Sequence, residues 1–358
     1  MSVKRPRSKR VLQNLAILSA TILVFLIGLE ITLRLAGSGN VEVYDPDPVL
    51  YWKLRPNQDC FTKIGRHPVH INSRGTRGPE FQLPKPPGTF RILSLGDSKT
   101  FGWGVSEADT YSAPLERLLQ EHAGPGTKIE VINAGCNAWS YPQMRFYFRD
   151  IGLQYQPDLI LIGDGNLWTQ FSENNSPEFI ESFMNRVRLK NFFRRFATFH
   201  YIVEDKFKGL YESQRAKFIP VDPAADTLFK EQQQKDPDAF FRQHIDGLCT
   251  LALSNRVQPV LLFIPYIDQA LAGETNRALK AKLQISRQRN VPLIDITPVL
   301  TPHGRELYME ADTVHLTAEG NAVIARQIFE SLTNLVKRSD NPLSPSLPLS
   351  PSTPPDKP

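Results

Sequence analysis

The sequence has little cysteine, and this scarcity excludes two kinds of stabilised domain. Its 358 residues include three cysteines, Cys60, Cys136 and Cys249. They are too few and too widely spaced for a zinc site or for a disulfide framework. We therefore expect neither a bound metal nor another cofactor.

Most of the chain also lacks an excess of charge of either sign. The formal net charge is +5 and the pI is about 9.0, values that suggest a nucleic-acid partner. The first ten residues hold five bases and no acid, which leaves 37 basic and 37 acidic residues in the rest. This balance excludes a domain that tracks phosphates, so we expect no nucleic-acid partner. A hydrophobic content of 41% is enough to fill a core.

Charge is absent again from residues 11–29, directly after the basic decamer. Nineteen residues at helical rise span roughly 28 Å, close to the thickness of a bilayer's hydrocarbon core. Glu30 and Arg34 lie four apart, so they share a helix face and can pair near the interface. We predict a single-pass signal-anchor helix over 11–35 in the inner (plasma) membrane. The preceding bases predict a cytoplasmic N-terminus and a periplasmic or extracellular body.

Two other interpretations of this apolar segment remain open. A cleaved signal peptide also begins with bases and continues with apolar residues, and Ala36-Gly37-Ser38 forms a weak small-residue cleavage site. A buried helix of a globular domain would have the same composition, but it would give the basic decamer no role.

Between residues 89 and 338, short apolar runs alternate with longer amphipathic segments. The apolar runs predict strands over Arg91–Leu95, Lys128–Asn133, Asp158–Ile162, Pro259–Ile264 and Val291–Ile296. The amphipathic segments predict helices over 111–122, 142–155, 238–255, 274–289 and 317–336. Continuously apolar strands separated by helices indicate a five-stranded parallel sheet covered on both faces, which is an α/β fold.

Polar residues follow these strands at the edge where parallel sheets collect their ligand sites. Ser98 lies three residues beyond the first strand, in a tight turn that would expose its hydroxyl. Asp312 and His315 share one loop, so the carboxylate can orient Nδ1 of the imidazole while Nε2 reaches the serine. Gly135 and Asn166 follow the second and third strands. With the N–H of Ser98, they predict an oxyanion hole.

These residues resemble, in order, the four sequence blocks of the SGNH, or GDSL, hydrolases. Residues 96–111, GDSKTFGWGVSEADTY, are similar to the first block of that family. Residues 312–325, DTVHLTAEGNAVIA, are similar to its last block. The resemblance covers about residues 89–336 and implies a flavodoxin-like three-layer α/β/α domain with ester chemistry.

The resemblance also implies roles for single residues. It assigns Ser98 as the nucleophile, His315 as the base and Asp312 as the group that orients the base. Gly135 and Asn166 would complete the oxyanion hole. The third block departs from the family's usual Gly-x-Asn-Asp, because here it reads Gly163-Asp164-Gly165-Asn166-Leu167.

Three further segments precede, interrupt and follow this predicted domain. Residues 36–88 are expected to form an extracytoplasmic linker and a β-rich segment. Within them, YDPDPVLYWKLRPN at 44–57 and INSRGTRGPE at 71–80 are similar to the β-rich segment that precedes this domain in membrane-anchored bacterial members of the family. An insertion covers about residues 167–237. Within it, residues 186–196 hold five bases and three phenylalanines. They suggest either a surface for anionic polysaccharide or lipid headgroups, or a helix with a packed aromatic face and a solvated basic face. The Pro/Ser-rich residues 339–358 predict a disordered tail.

The sequence as a whole predicts a membrane-anchored serine esterase, deacylase or O-acyltransferase. Its substrate would be an ester-bearing carbohydrate or lipid, and Ser98 would carry the acyl group in an acyl-enzyme. The alternative is a catalytically weakened member of the fold that binds carbohydrate or assists polysaccharide assembly. The altered third block keeps this alternative open.

Overall fold

The computed structural model describes most of the chain. The described residues are 7–62, 65–165, 175–207, 238–272, 276–310 and 312–337, together with the single positions 227, 230, 231, 235, 236 and 348. Asn166, much of the predicted insertion and nearly all of the predicted Pro/Ser-rich tail lie outside these residues.

The chain begins with one long helix, α1 (Arg7–Leu35). Its segment Val11–Leu35 is long and apolar enough to cross a membrane or to serve as a signal anchor, with a mean hydropathy of 2.3. The most apolar window of this segment is not buried within the protein, and only Leu33 near its end is buried. The alternative of a buried core helix is therefore wrong for α1, because nearly all of its apolar side chains are exposed.

The central sheet has five parallel strands in the order β6–β5–β7–β8–β9. The strands are β5 (Thr89–Gly96), β6 (Lys128–Gly135), β7 (Leu159–Ile162), β8 (Gln258–Phe263) and β9 (Leu293–Asp295). Relative to the first strand of the domain, this order is the 2-1-3-4-5 of flavodoxin-like folds. The predicted five-stranded parallel sheet is confirmed.

Helices cover both faces of this sheet. They are α2 (Ser98–Phe101), α3 (Ser112–Glu121), α4 (Tyr141–Asp150), α7 (Ala239–Ser254), α8 (Ile267–Ala272), α9 (Arg277–Arg289), α10 (Thr297–Leu300) and α11 (Ala318–Lys337). Leu93 and Leu95 of β5 share one apolar core with Phe148 of α4. Ile92 belongs to the opposite core, with Leu115 of α3. Because side chains alternate along a strand, the sheet is buried on both faces, which confirms the three-layer α/β/α arrangement.

Two antiparallel hairpins precede the sheet. They pair β1 (Tyr44–Asp47) with β2 (Tyr51–Leu54), and β3 (Gln58–Phe61) with β4 (Pro68–Ile71). Arg77, just beyond β4, bridges to Asn133 of β6. Its buried guanidinium donates to the carbonyls of Phe101, Gly102 and Val105 at 2.7–2.8 Å. This segment therefore holds the loop that follows α2.

The described part of the insertion is helical and packs on the hairpins. It contains α5 (Pro177–Phe193), α6 (Ala197–Phe199) and a π-helical turn at His200–Lys206. Phe183 of α5 packs edge-on against Tyr51 of β2, with ring centroids 5.6 Å apart. The N-terminal half of α5 thus has a packed aromatic face, whereas Phe192 and Phe193 at its C-terminal end are exposed.

Candidate active site

The turn between β5 and α2 presents Ser98 at the carboxyl edge of the sheet. Asp97 caps α2 by accepting the Lys99 N–H at 2.9 Å, and Ser98 is the first residue of the helix. The Asp97 N–H donates to the Asp164 carbonyl at 2.9 Å, which ties the turn to the end of β7. Asp97 and Lys99 are buried, whereas Ser98 between them is partly exposed. The serine is thus the residue of this turn that a substrate can reach.

Ser98, His315 and Asp312 form a continuous hydrogen-bonded line. Nε2 of His315 lies 2.7 Å from the Ser98 Oγ. Nδ1 of the same ring lies 2.8 Å from Oδ2 of Asp312. These are the contacts through which an imidazole takes a proton from a serine while a carboxylate orients the ring.

The Asp312 carboxylate is fixed by its own loop as well as by the imidazole. Its Oδ1 accepts the backbone N–H groups of Val314 and His315, at 2.7 and 3.0 Å. Burial acts to raise the pKa of Asp312, but the hydrogen bonds and the charge of His315 outweigh it and lower the pKa to about 2. The carboxylate is therefore ionised near neutral pH, as the orienting group must be.

Trp103 covers one side of the imidazole. Its ring centroid lies 4.5 Å from that of His315, and its backbone N–H donates to the Ser98 carbonyl at 3.0 Å. Our sequence reasoning missed this residue, although it falls inside the first family-like block. An apolar ring over the imidazole limits the access of water to the line of hydrogen bonds.

Gly135 is needed here for steric reasons, and its N–H is already occupied. A Cβ at this position would overlap the backbone nitrogen of Phe101 in α2. The Gly135 N–H donates to Oδ1 of Asn133 at 3.0 Å. In this conformation the Gly135 N–H therefore has an acceptor within the protein, and its part in an oxyanion hole stays a prediction. In contrast, the Ser98 N–H has no acceptor among the described residues.

The loop after β6 contains a residue that our sequence reasoning missed. Ala138 has a φ of +65°, in the left-handed region that costs an alanine roughly 1–2 kcal/mol. The loop begins beside the serine turn, because the Cys136 N–H donates to the Gly96 carbonyl at 3.1 Å. Within the described ranges, the Ala138 N–H has no acceptor. The sequence does not reveal φ, so the only sign that Ala138 could belong to the site was its position in the loop after a strand.

Beneath the serine turn lies a buried group of charges. Asp164 is paired with Lys99 at 2.9 Å and with Lys282 of α9 at 2.7 Å. Burial opposes its charge, yet the two ammonium groups hold the pKa of Asp164 below its usual range. Burial also lowers the pKa of Lys282 and raises that of Asp97. These ion pairs join α2, β7 and α9 under the nucleophile.

A doubly wound α/β domain with a Ser–His–Asp line at the carboxyl edge of its sheet is the arrangement found in α/β serine hydrolases. The particular family follows from the sequence. The GDSL-like lipase/acylhydrolase family matches residues 94–323, which is well over half of the chain. The chain belongs to this family, and the resemblance seen in the four blocks is confirmed.

Several solved structures have a similar fold. A lipase/acylhydrolase from Enterococcus faecalis is 16% identical, with a TM-score of 0.41, and the match covers 68% of this chain and 96% of that one. A psychrotrophic esterase from Pseudoalteromonas sp. is 13% identical, with a TM-score of 0.42 and coverages of 69% and 99%. A G-D-S-L family lipolytic protein from Veillonella parvula DSM 2008 is 14% identical, with a TM-score of 0.41 and coverages of 68% and 98%. No curated protein sequence matches the chain.

Proposed function

We propose that this protein is a membrane-anchored serine hydrolase that removes or transfers the acyl group of an ester-bearing carbohydrate or lipid. The observation that carries the proposal is the 2.7 Å contact between the Ser98 Oγ and Nε2 of His315. The Asp312 carboxylate behind the imidazole supplies the third member of the line. Membership of the GDSL-like lipase/acylhydrolase family supports ester chemistry.

The proposed reaction passes through an acyl-enzyme. Nε2 of His315 takes the Ser98 proton as Oγ attacks the ester carbonyl, and Asp312 stabilises the imidazolium that forms. His315 then gives this proton to the departing alkoxide, which leaves the acyl group on Oγ. Water or a sugar hydroxyl attacks the acyl-enzyme in the second half, with His315 again as base. Water gives a carboxylic acid, whereas a hydroxyl gives a new ester.

The negative oxygen of each tetrahedral intermediate needs hydrogen-bond donors. We assign the Ser98 N–H and the Ala138 N–H to this role, because both are without acceptors in the described structure and their turns adjoin. Asn166 remains a proposed third donor. Gly165, which precedes it, approaches the same loop, since a Cβ there would lie 3.1 Å from the Ser140 carbonyl carbon.

The proposed location follows from the first 35 residues. Helix α1 has the length and composition to cross a bilayer, and five bases precede its uncharged segment. The positive-inside rule then predicts a cytoplasmic N-terminus, with Ser98 on the periplasmic or extracellular side. An anchored site favours substrates held near the membrane, such as lipids or surface polysaccharides.

The test is covalent labelling of the full-length protein by a serine-directed phosphonate, followed by intact mass and by turnover of a short p-nitrophenyl ester. The wild type should gain one phosphonyl group, and so should Ser254→Ala, which alters an exposed serine on α7. Ser98→Ala should gain none and should lose turnover by on the order of 10³-fold or more. Equal turnover in Ser98→Ala would refute the nucleophile. An unlabelled, inactive wild type would support the carbohydrate-binding alternative.

A further inference from the structure

The C-terminal end of α5 and the turn after it expose a group of large apolar side chains. Leu189, Phe192, Phe193 and Phe196, which we call the aromatic patch, are between 41% and 58% exposed. Within the patch, the ring of Phe192 contacts the rings of both other phenylalanines. The Phe192 centroid lies 5.5 Å from that of Phe193 and 5.9 Å from that of Phe196. A contiguous apolar surface of this kind marks an interaction site more often than scattered exposed side chains do.

The aromatic patch is joined directly to the end of α1. The Glu30 carboxylate accepts the backbone N–H groups of Ala197 and Thr198, both at 2.9 Å. Arg34 pairs with Glu30 at 2.7 Å and donates to the Arg195 carbonyl. These contacts fix the start of α6, one residue after Phe196, against the last turns of the apolar helix.

The position of Glu30 sets the depth of this junction in a membrane. Residues 11–29 of α1 are uncharged, so Glu30 marks the level at which the hydrocarbon core ends. Phe196 lies between the residues that Arg34 and Glu30 contact, so this end of the aromatic patch is close to that level. Interfacial helices bury large apolar side chains, Phe and Leu among them, at this depth.

The charges around the aromatic patch fit the same location. Five bases alternate with its apolar residues in the segment 186–196, which contains no acid. A segment with large apolar side chains and many bases is the composition of a helix that lies in the headgroup layer. Bases near an anionic bilayer surface strengthen binding to it through electrostatic attraction.

We infer that the aromatic patch inserts into the headgroup layer of the bilayer that α1 crosses. The hydrolase domain then has a second membrane contact besides its anchor. The inference rests on the anchoring given under the proposed function, and its occupant is a phospholipid bilayer. Glu30 and Arg34 would hold the two membrane contacts at a constant relative position.

This contact would also hold the site in a fixed position relative to the bilayer surface. Asn191 of α5 donates to the Tyr44 carbonyl of β1. The Tyr44 hydroxyl accepts the side-chain N–H of Asn137 at 2.6 Å, in the loop after β6. That loop adjoins the turn that carries Ser98. Two hydrogen bonds therefore connect α5 to the loop beside the catalytic edge.

The experiment uses the full-length chain in vesicles of phosphatidylcholine and phosphatidylglycerol. An environment-sensitive fluorophore is placed on Phe192→Cys, and separately on Leu253→Cys, an exposed position of α7 that serves as the matched control. The native cysteines are all buried, which favours selective labelling of the new thiol. Lipid carrying a shallow spin-label quencher is then added. We expect the emission at position 192 to fall about twofold or more and that at position 253 to stay unchanged.

Two controls separate the inference from the anchoring on which it rests. Flotation at alkaline pH shows whether the chain is embedded through α1, and loss of flotation would refute the anchoring. If the chain floats but position 192 is quenched no more than position 253, the aromatic patch does not contact lipid. The inference would then be wrong while the anchoring stands. Retained ester turnover in both cysteine variants shows that they are folded.

Discussion

Asp312 shows how one residue can serve both the backbone and the chemistry. One carboxylate oxygen accepts two N–H groups of its own loop, and the other meets the imidazole of His315. The loop therefore cannot change shape without releasing the oxygen that orients the ring. Because both partners lie within three residues, this pair depends little on the rest of the fold.

Asp312→Asn tests the orienting role of this carboxylate. The amide keeps the size of the side chain but removes the charge that stabilises an imidazolium, so kcat should fall by on the order of 10³–10⁴-fold. Steady-state hydrolysis of a p-nitrophenyl ester measures this loss. Asp246→Asn changes a half-buried carboxylate that is paired with Arg289 at the surface, and the activity of this variant should be unchanged. An active Asp312→Asn protein would show that the carboxylate has no orienting role.

The same substitution changes the dependence of stability on pH. The pKa of Asp312 is about 2 in the folded protein, whereas an unfolded chain has the ordinary value of about 3.9. This depressed pKa contributes stability that is fully present above about pH 4 and is lost as the pH falls toward 2. Denaturant unfolding should therefore show that the wild type loses its advantage over Asp312→Asn between these two pH values. If the difference in the free energy of unfolding between the two proteins stayed constant over this range, the folded state would not stabilise the ionised carboxylate.

At the scale of secondary-structure elements, the buried group around Asp164 joins segments that are distant in sequence. Lys99 belongs to α2 and Lys282 to α9, and both also donate to backbone carbonyls at the ends of strands. Every donor and acceptor in such a buried network must be satisfied, because an unpaired charge in the interior is costly. The network therefore fixes the turn under Ser98 to the layer of helices behind it.

Asp164→Asn should be among the most destabilising single substitutions in the chain. It would leave two buried ammonium groups facing a neutral amide, with a cost of roughly 3–5 kcal/mol in the free energy of unfolding. Urea denaturation measures this cost. Asp246→Asn again serves as the control, because its exposed pair should be worth less than about 1 kcal/mol. Equal effects of the two substitutions would contradict the structural role of the network.

The elements that could be predicted from the sequence are those with a continuous local pattern. The apolar strands and amphipathic helices lie within a few residues of their expected positions, but β9 is shorter than predicted. Pro292 cannot donate to a ladder, and β9 begins only at Leu293. The segment after α4 becomes a 3₁₀ turn at Gly152–Tyr155 instead of continuing the helix.

The predictable part of the site is likewise the local part. Asp312 and His315 could be predicted because their spacing places both in one loop. Ser98 could be predicted because it follows a strand. The availability of the Gly135 N–H could not be predicted, since the side chain of Asn133, two residues away, accepts its hydrogen bond. Lys282 could not be found at all, because its partner Asp164 lies 118 residues earlier in the chain.

At the scale of the whole molecule, charge and hydropathy divide the chain into unequal parts. The bases of the first ten residues account for the net charge of +5, and the uncharged segment follows them directly. The remainder carries equal numbers of bases and acids, so no long-range field draws it toward a polyanion. Under the inference above, attraction of this remainder to anionic lipid would come from local clusters such as residues 186–196.

This asymmetry predicts the orientation of the chain in the membrane. An epitope tag at the N-terminus should be protected when protease is added to spheroplasts, whereas a tag at the C-terminus should be digested. Immunoblots after mild detergent, which opens the membrane, should show that the first tag is then digested as well. Digestion of the N-terminal tag in intact spheroplasts would reverse the predicted topology.

The contact between Trp103 and His315 gives the protein an internal optical probe. An excited indole passes an electron readily to a protonated imidazole in contact with it, and its emission is then quenched. With ring centroids 4.5 Å apart, the brightness of Trp103 would follow the arrival and departure of the proton on His315. Proton transfer at His315 would therefore change the share of the protein's emission that comes from Trp103, one of four tryptophans, without any dye or chromogenic ester.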